Sequence, residues 1–232
     1  MAPENTLAAL RCSLARGYRA VEFDVMLSRD GVPVLMHDPD FGRTIAGSGK
    51  VAESTAAQLA LLDAGAWYGQ QFSGEPVPTL GQVADYCMAN EIWMNIEVKP
   101  APGFAVETGR VVGKFMADYL AAYAGPLTMP LFSSFSVESL MAAKDAAPEI
   151  PRGFLTPRVN RDWREQMASL DAVALHTNEK YLSPDQVRAI KQAGIGLFCY
   201  TVNDPARARQ IFDWGVDAFC TDRIDLIGAD FV

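Results

Sequence analysis

Two short stretches of the sequence carry acidic side chains at a spacing suited to holding a metal ion. In residues 20–25, apolar and acidic residues alternate, so an extended strand would point Glu22 and Asp24 to one face and the apolar residues to the other. Two carboxylates about 7 Å apart along a strand can share one hard cation such as Mg²⁺ or Ca²⁺. The alternation therefore predicts a strand with a candidate metal-binding face.

The second stretch, residues 94–99, repeats this alternation further along the chain. Its apolar residues would face one way, and Asn95, Glu97 and Lys99 would face the other. If both strands end at one edge of a sheet, Glu97 supplies a third carboxylate and Lys99 supplies a cation for an anionic substrate. Such a set is typical of metal-assisted chemistry at a phosphoryl or carbonyl group.

His37 is the histidine that we expect to join this set. Asp30 and Gly31 form a hairpin turn signal, and residues 32–37 would return along the first strand. A two-residue loop would set His37 opposite Asp24 on the same face of the ribbon. We therefore predict that His37 supplies or removes a proton.

Composition excludes several classes of function. The chain has 232 residues and a formal net charge of −8, with no Lys/Arg-rich block, which argues against nucleic acid as a partner. No apolar run is long enough to cross a bilayer, so we expect no integral membrane segment. The four cysteines lack a CxxC spacing, which indicates reduced thiols and a cytoplasmic location. The sequence leaves the oligomeric state open.

Apolar strands alternate with amphipathic helices along the whole chain, which predicts an α/β protein with a parallel sheet closed into a barrel. We expect one domain over residues 1–232, with an insertion over residues 39–78 that contains a helix at 55–63. The predicted strands begin near Ala20, Trp93, Leu127, Arg152, Ala172, Gly196 and Ala218. A closed barrel needs eight strands, so we expect a first strand to precede Met1.

Local signals place several helix boundaries. Asn5 is the expected N-cap of a helix over residues 6–16, whose free N–H groups could add to an anion site. Capping boxes begin at Thr79 and at Ser183, and Ser136 is the expected cap of another helix. The strand before Ser136 is expected over residues 127–134.

An ordered set of motifs resembles the glycerophosphodiester phosphodiesterase family over essentially the full chain. The matching residues are Pro3-Glu4-Asn5-Thr6, Glu22-Phe23-Asp24-Val25, Asp30-Gly31, His37-Asp38, Arg43-Thr44 with Gly47 and Gly49, Ile96-Glu97-Val98-Lys99-Pro100, Ser133-Ser134-Phe135, Thr201-Val202-Asn203 and Thr221-Asp222. The likeness is greatest to small cytoplasmic bacterial members. It implies a (β/α)8 TIM barrel of the phospholipase-C-like phosphodiesterase type.

The resemblance also implies roles for individual residues. Glu22, Asp24 and Glu97 would bind a divalent metal, usually Mg²⁺ or Ca²⁺, while Lys99 would contact the phosphate and His37 would be one of two acid/base histidines. The reaction would be hydrolysis of a small-molecule glycerophosphodiester to sn-glycerol 3-phosphate and an alcohol. The family places a strand ending in His-Arg-Gly before the first motif, so we expect little activity from a chain that begins at Met1.

Other interpretations stay open at this stage. The barrel could be another divalent-metal enzyme, such as a class II aldolase or a phosphatidylinositol-type lyase, or a non-catalytic barrel that binds glycerophosphodiesters. We expect Arg43 to fix a loop, and we expect His176 and Asp222 to support the structure without lining the pocket. The aromatic residues Trp67, Tyr68 and Phe72 are expected to pack within the insertion, although they could cover the site.

Overall fold

Strands and helices alternate along the chain, as the sequence predicts. The computed structural model describes residues 1–126 and 129–231. Its strands in this part of the chain are β1 (Ala20–Leu27), β2 (Pro33–Leu35), β3 (Trp93–Val98), β4 (Leu131–Ser134), β5 (Arg152–Thr156), β6 (Ala174–Asn178), β7 (Gly196–Tyr200) and β8 (Ala218–Phe219). Its α-helices are α1 (Leu7–Ala15), α2 (Ala56–Leu59), α3 (Leu80–Ala89), α4 (Ala105–Ala122), α5 (Val137–Ala146), α6 (Trp163–Leu170), α7 (Pro184–Gln192) and α8 (Pro205–Trp214). Short 3₁₀ turns occur at Val51–Glu53, Gln70–Phe72 and Glu179–Tyr181.

The strands form one curled sheet in the order β2-β1-β3-β4-β5-β6-β7-β8. Strand β2 pairs with β1 in the antiparallel direction, and every other neighbouring pair in this order is parallel. Within the described residues β1 and β8 do not pair, so the sheet is open between them. The predicted α/β barrel type and its seven parallel strands are confirmed.

Strand boundaries differ from the prediction at two places. The strand predicted over residues 127–134 begins at Leu131, while Leu127 and Thr128 lie outside the described residues. The strand predicted from Ala172 begins at Ala174, because Ala172 closes the preceding helix by a backbone hydrogen bond to Met167. Neither shift changes the order of the strands.

The predicted register of the hairpin was wrong by one residue. Val25 pairs with Leu35, so Met36, and not His37, lies opposite Asp24 and donates its N–H to the Asp24 carbonyl at 3.1 Å. The loop has three residues between Ser28 and Val32, with Gly31 at a φ of 75°, where a two-residue loop was expected. His37 therefore follows the end of β2.

The main core lies between the sheet and its helices. The outward-facing apolar residues of β1 and β3 are buried against α3 and α4, and include Phe23, Val25, Ile96 and Val98. Burying each such side chain contributes about 1.5–3 kcal/mol to folding. This packing fixes the strands whose opposite faces carry the acidic residues.

A second, smaller core joins β1 and β2 to the segment predicted as an insertion. Its buried members are Met26, Val34, Met36, Ile45, Val51, Leu59, Ala64 and Val77. The helix expected over residues 55–63 ends at Leu59, with Ala60 as its C-cap. Asp63 lies beyond it in a loop, where its carboxylate accepts backbone N–H groups from Gly65, Ala66 and Gly74. Glu75 ties this segment to α1, since its carboxylate accepts the N–H of Ala8 at 2.8 Å.

The helix caps are partly as predicted. The capping boxes at Thr79 and Ser183 and the Ser136 cap are confirmed. The N-cap of α1 is Thr6, whose hydroxyl accepts the N–H of Ala9, so the prediction for Asn5 was wrong. Asn5 has a φ of 55° and directs its side chain to β1.

Candidate active site

The parallel register of β1 and β3 brings three carboxylates together. Asp24 lies beside Glu97, and Glu22 lies beside Asn95, at the carboxyl end of the sheet. One ligand atom from each of Glu22, Asp24 and Glu97 lies within 4.8 Å of the others. Side chains on the same level of neighbouring strands are about 5 Å apart, so this convergence follows from strand pairing.

Asp24 is the most highly bonded member of this acidic cluster. Lys99 lies 3.2 Å from Asp24 Oδ1 and forms an ion pair with it. Asn5 donates Nδ2–H to Asp24 Oδ2 at 2.8 Å and accepts the Asp24 backbone N–H at 3.0 Å. Asp24 is therefore fixed from two sides, by Lys99 and by Asn5.

Burial makes the other two acids hard to ionise. Burial first, and then the charge of Asp24, raises the pKa of Glu97 to about 7, although Lys99 partly offsets both. Burial together with the charges of Asp24 and Glu97 also raises the pKa of Glu22 well above its ordinary value. The acidic cluster thus favours either a bound proton or a bound cation.

His37 lies across the mouth of the site in a chain of charged partners. Its Nδ1 lies 2.8 Å from Asp38 Oδ1, and Arg43 Nε donates to Asp38 Oδ2 at 2.5 Å. The two terminal nitrogens of Arg43 donate to the carboxylate of Glu4 at 2.8 and 2.6 Å. Burial raises the pKa of Asp38, but hydrogen bonds from Arg43 and His37 outweigh it, so this pKa lies below its ordinary value.

One cavity of about 920 Å³ joins these groups. Its lining includes all five predicted site residues, Glu22, Asp24, His37, Glu97 and Lys99. Trp67 and Tyr68 also line it and are 42% and 39% exposed, so they pack within the insertion, as expected, and cover the site as well. Their rings meet edge to face with centroids 5.5 Å apart, which places an aromatic surface at the cavity mouth.

Three buried polar atoms in the lining of the cavity have no hydrogen-bond partner within the described residues. They are Asn95 Oδ1, Ser133 Oγ and His176 Nδ1. The His176 ring leans over Gly153, where an added Cβ would lie 2.5 Å from Nε2, and burial lowers its pKa to about 3. His176 and Asp222 both line the cavity, so the expectation that they stay outside it was wrong.

The start of α1 offers less to an anion than we expected. The Ala8 N–H donates to Glu75, and the Ala9 N–H donates to the Thr6 hydroxyl. These first-turn donors are already used within the protein, because the insertion supplies a carboxylate where the sequence suggested open N–H groups. A phosphate site at this helix start is therefore not supported.

Comparison with known proteins adds the family. The model of the glycerophosphoryl diester phosphodiesterase family matches residues 1–226. The chain belongs to this family. It is 30% identical to the glycerophosphodiester phosphodiesterase of Caldanaerobacter subterraneus subsp. tengcongensis, over 95% of this chain and 88% of that protein.

Solved structures agree with this assignment to the phosphodiesterase family. An Oleispira antarctica phosphodiesterase in complex with the product sn-glycerol-3-phosphate is 36% identical, with a TM-score of 0.89 over 95% of this chain and 88% of that chain. A glycerophosphodiester phosphodiesterase from Agrobacterium tumefaciens is 27% identical, with a TM-score of 0.78 over 97% and 93% of the two chains. The resemblance inferred from the motifs is confirmed.

The donor set of this phosphodiesterase suits a divalent cation of the Mg²⁺ or Ca²⁺ kind. All three members of the acidic cluster present oxygen, the ligand that these hard cations prefer. Two of the three have a raised pKa, so a cation would relieve a repulsion that the fold otherwise imposes. The residues present therefore fit the metal.

Sequence reasoning missed the residues that support the predicted ones. Asn5 was assigned to a helix cap, and Asp38 was assigned no role beyond its motif. Neither position carries a local signal for its partner, because Asn5 reaches Asp24 across 19 residues and Arg43 reaches Glu4 across 39. Their presence in the family motifs was the one available indication.

No helix in residues 1–126 and 129–231 combines the length and the apolar character needed to cross a membrane.

Proposed function

We propose that this phosphodiesterase hydrolyses glycerophosphodiesters to sn-glycerol 3-phosphate and an alcohol, with Mg²⁺ or Ca²⁺ held by Glu22, Asp24 and Glu97. The observation that carries the proposal is the acidic cluster, whose ligand atoms lie within 4.8 Å of one another in the same cavity as Lys99 and His37. The product named for the Oleispira relative supports the choice of substrate. A bound cation would supply neutralisation of the phosphoryl oxygens.

Lys99 and His37 would act on the substrate directly. Lys99 forms an ion pair with Asp24. We propose that its ammonium group contacts the phosphate instead when a cation neutralises the carboxylates. His37 would exchange a proton with the leaving oxygen or with the nucleophile. If water is the nucleophile, it displaces the alcohol and gives sn-glycerol 3-phosphate directly. If the glycerol hydroxyl of the substrate is the nucleophile, it displaces the alcohol and gives a cyclic phosphate, which water must then open. Asn5 keeps Asp24 in place during these steps.

The setting is part of the same proposal. We propose a role in phospholipid and glycerol metabolism, with a small-molecule substrate, and a location in the cytoplasm. All four cysteines are described and are free thiols, which supports a reducing compartment.

The test is release of sn-glycerol 3-phosphate from glycerophosphocholine, followed with a coupled dehydrogenase in Mg²⁺, in Ca²⁺ and in EDTA. We expect product with a metal and a large loss in EDTA or in Glu97→Gln. Exposed Asp118, on α4, supplies the control Asp118→Asn, which should leave the rate unchanged.

Two results would replace the proposal. A stable cyclic phosphate, seen by phosphorus NMR, would favour a lyase. Calorimetric binding of glycerophosphocholine without turnover in either metal would favour a non-catalytic binding barrel.

A further inference from the structure

We infer that Asp38, Arg43 and Glu4 form a positioning relay that sets the tautomer and orientation of His37; this inference rests on the proposed role of His37 in proton transfer. The four side chains are joined without a break. Asp38 binds His37 at 2.8 Å, Arg43 binds Asp38 at 2.5 Å, and Arg43 binds Glu4 through both terminal nitrogens. Each member other than His37 acts through the next one and needs no contact with the substrate.

The first step of the relay concerns the proton on the imidazole. Asp38 receives the Arg43 guanidinium on one oxygen and His37 Nδ1 on the other, so it is held as a carboxylate that can only accept. Nδ1 must then carry the proton. Nε2 is left as the ring nitrogen that can take a proton from the substrate or return one to it.

The second step concerns the shape of Arg43. A guanidinium presents its donors in a flat, rigid fork, and here the fork serves two carboxylates at once, Asp38 through Nε and Glu4 through its other edge. A lysine ammonium has the same charge but is a point donor on a flexible stem. Arg43 thus fixes the plane of the Asp38 carboxylate as well as its charge.

The relay is anchored beside the acidic cluster. Glu4 holds Arg43, and the next residue, Asn5, holds Asp24 through two hydrogen bonds. One dipeptide therefore sets the distance between the proposed proton-transfer group and the proposed metal ligands. The partners of the relay are half exposed, with Arg43 at 46% and Glu4 at 38%, so it should add little to global stability.

Nitrogen-15 NMR of the histidine rings tests the relay without any need for turnover. The chain has two histidines, so His176→Gln assigns both sets of signals. We expect His37 to carry its proton on Nδ1 in the unmodified protein and to move it largely to Nε2 in Asp38→Asn, whose amide would donate to Nδ1. Arg43→Lys and Glu4→Gln should give mixtures of the two tautomers.

Kinetics give the matching catalytic result. Asp38→Asn should lower kcat about 10²-fold and leave KM within about twofold, because one general acid–base group contributes about 10²–10⁴-fold to the rate. Arg43→Lys should lower kcat about tenfold. Matched controls are Asp185→Asn and Arg188→Lys, which alter an exposed pair on α7 of the same chemistry and should change neither readout.

Two outcomes would overturn the relay. One is an unchanged His37 tautomer in both Asp38→Asn and Arg43→Lys, with folding verified by circular dichroism. The other is a loss of kcat in these variants that follows a fall in melting temperature, with the tautomer unchanged. If the unmodified protein releases no product, the tautomer result still decides the relay, so its failure is distinct from failure of the proposed function.

Discussion

The charge on the acidic cluster depends on where its members lie. Asp24 and Glu97 are buried on neighbouring strands, and Glu22 follows on the same face of β1. Taking carboxylates out of water beside one another favours their neutral forms, so each cation or proton that arrives is bound more tightly than at a surface. The site therefore has a pH dependence that can be worked out for single residues.

Metal affinity should rise with pH through about 7, the pKa of Glu97. The cation needs the ionised carboxylate, so binding below this pH must release a proton. Calorimetry in two buffers of different ionisation enthalpy would measure that proton release. Without metal, the native state holds the Glu97 proton longer than the unfolded state, so stability should fall as pH rises from 4.5 to about 7. If neither metal binding nor the stability of the metal-free protein depended on pH, this interpretation of Glu97 would be wrong.

His176 should make the fold less stable as pH falls, whereas Glu97 should make it less stable as pH rises. Burial lowers its pKa from 6.5 to about 3, so the unfolded state takes up a proton that the native state refuses. The free energy of unfolding should therefore decline as pH falls from 6.5 to about 3, by an amount on the order of 5 kcal/mol. Urea titrations of His176→Gln should show a shallower decline over this range; an identical slope would be inconsistent with a neutral buried ring.

Asn5 should stabilise the fold through its side chain and its backbone separately. Asn5→Gly removes both hydrogen bonds to Asp24 and should cost about 1–3 kcal/mol. Asn5→Ala should cost about 1 kcal/mol more, because its φ of 55° is strained for alanine but free for glycine. Urea denaturation of both variants checks the order, and equal stabilities would exclude the backbone contribution.

Residue alternation was sufficient to predict which acids converge. A period of two fixes the faces of residues 20–25 and 94–99, so the meeting of Glu22, Asp24 and Glu97 follows from sheet pairing alone. The partners of these residues could not be predicted in the same way. Asn5 and Arg43 act across long stretches of chain, and their conformations depend on contacts that no local pattern encodes.

At the scale of elements, α4 and α5 approach closely because glycine lies between them. A Cβ added to Gly109 would overlap the Ser139 carbonyl oxygen, and one added to Gly113 would lie 2.9 Å from the Ala143 carbonyl. Both obstacles are backbone atoms, which cannot rotate away. This contact holds α4 against the sheet behind β1 and β3.

Gly109→Ala should destabilise the protein by about 1–3 kcal/mol, because the two helices must separate. Gly81→Ala is the matched control on α3, since its new methyl would meet the flexible ring of Phe115 at 3.3 Å. Thermal and urea unfolding of the two variants would measure the difference. An unchanged stability in Gly109→Ala would mean that the helices do not pack in this way.

Helices were predictable where a periodic pattern and a capping box coincide, as in α3 and α7. The prediction of the hairpin register was wrong because it assumed a two-residue loop. Ser28 accepts the Val32 N–H on its hydroxyl and donates its own backbone N–H to the Val32 carbonyl. These two bonds stabilise a loop one residue longer than Asp30 and Gly31 suggest. The helix predicted over residues 55–63 was also too long, since Asp63 lies in a loop and binds the backbone N–H groups of Gly65, Ala66 and Gly74.

At the scale of the molecule, the sheet is open in the described residues between β8 and the first half of β1, since β2 pairs only with residues 25–27 of β1. Asp24 directs its N–H to Asn5 and its carbonyl to Met36, away from β3. Residues two apart on a strand point their backbone groups the same way, so the Glu22 N–H also faces this opening.

Amide hydrogen exchange should reveal the opening. We expect the Glu22 amide to exchange faster than the amides of Phe23 and Val25 that face away from the opening, by more than tenfold, because those bond within the sheet. Equal protection that appears only at high protein concentration would show that another copy covers this side, and equal protection at all concentrations would show that the opening is closed.

The family and the order of the strands were predictable because many motifs recur in one sequence order. The organisation as one domain over residues 1–232 stays a prediction. What the motifs could not give is the geometry of the mouth, since Trp67 and Tyr68 are placed by how the insertion packs on β2.

The carboxylate of Glu75 joins two parts of the chain that would otherwise vary independently. It stands in the segment between β2 and α3, yet it satisfies the opening turn of α1. A chimera that takes this segment from a relative lacking an acid there would leave the Ala8 N–H without its acceptor. The start of α1, next to Glu4 and Asn5, would then be less stable. Grafts meant to change substrate choice should therefore carry Glu75 with them, or supply α1 with a new acceptor.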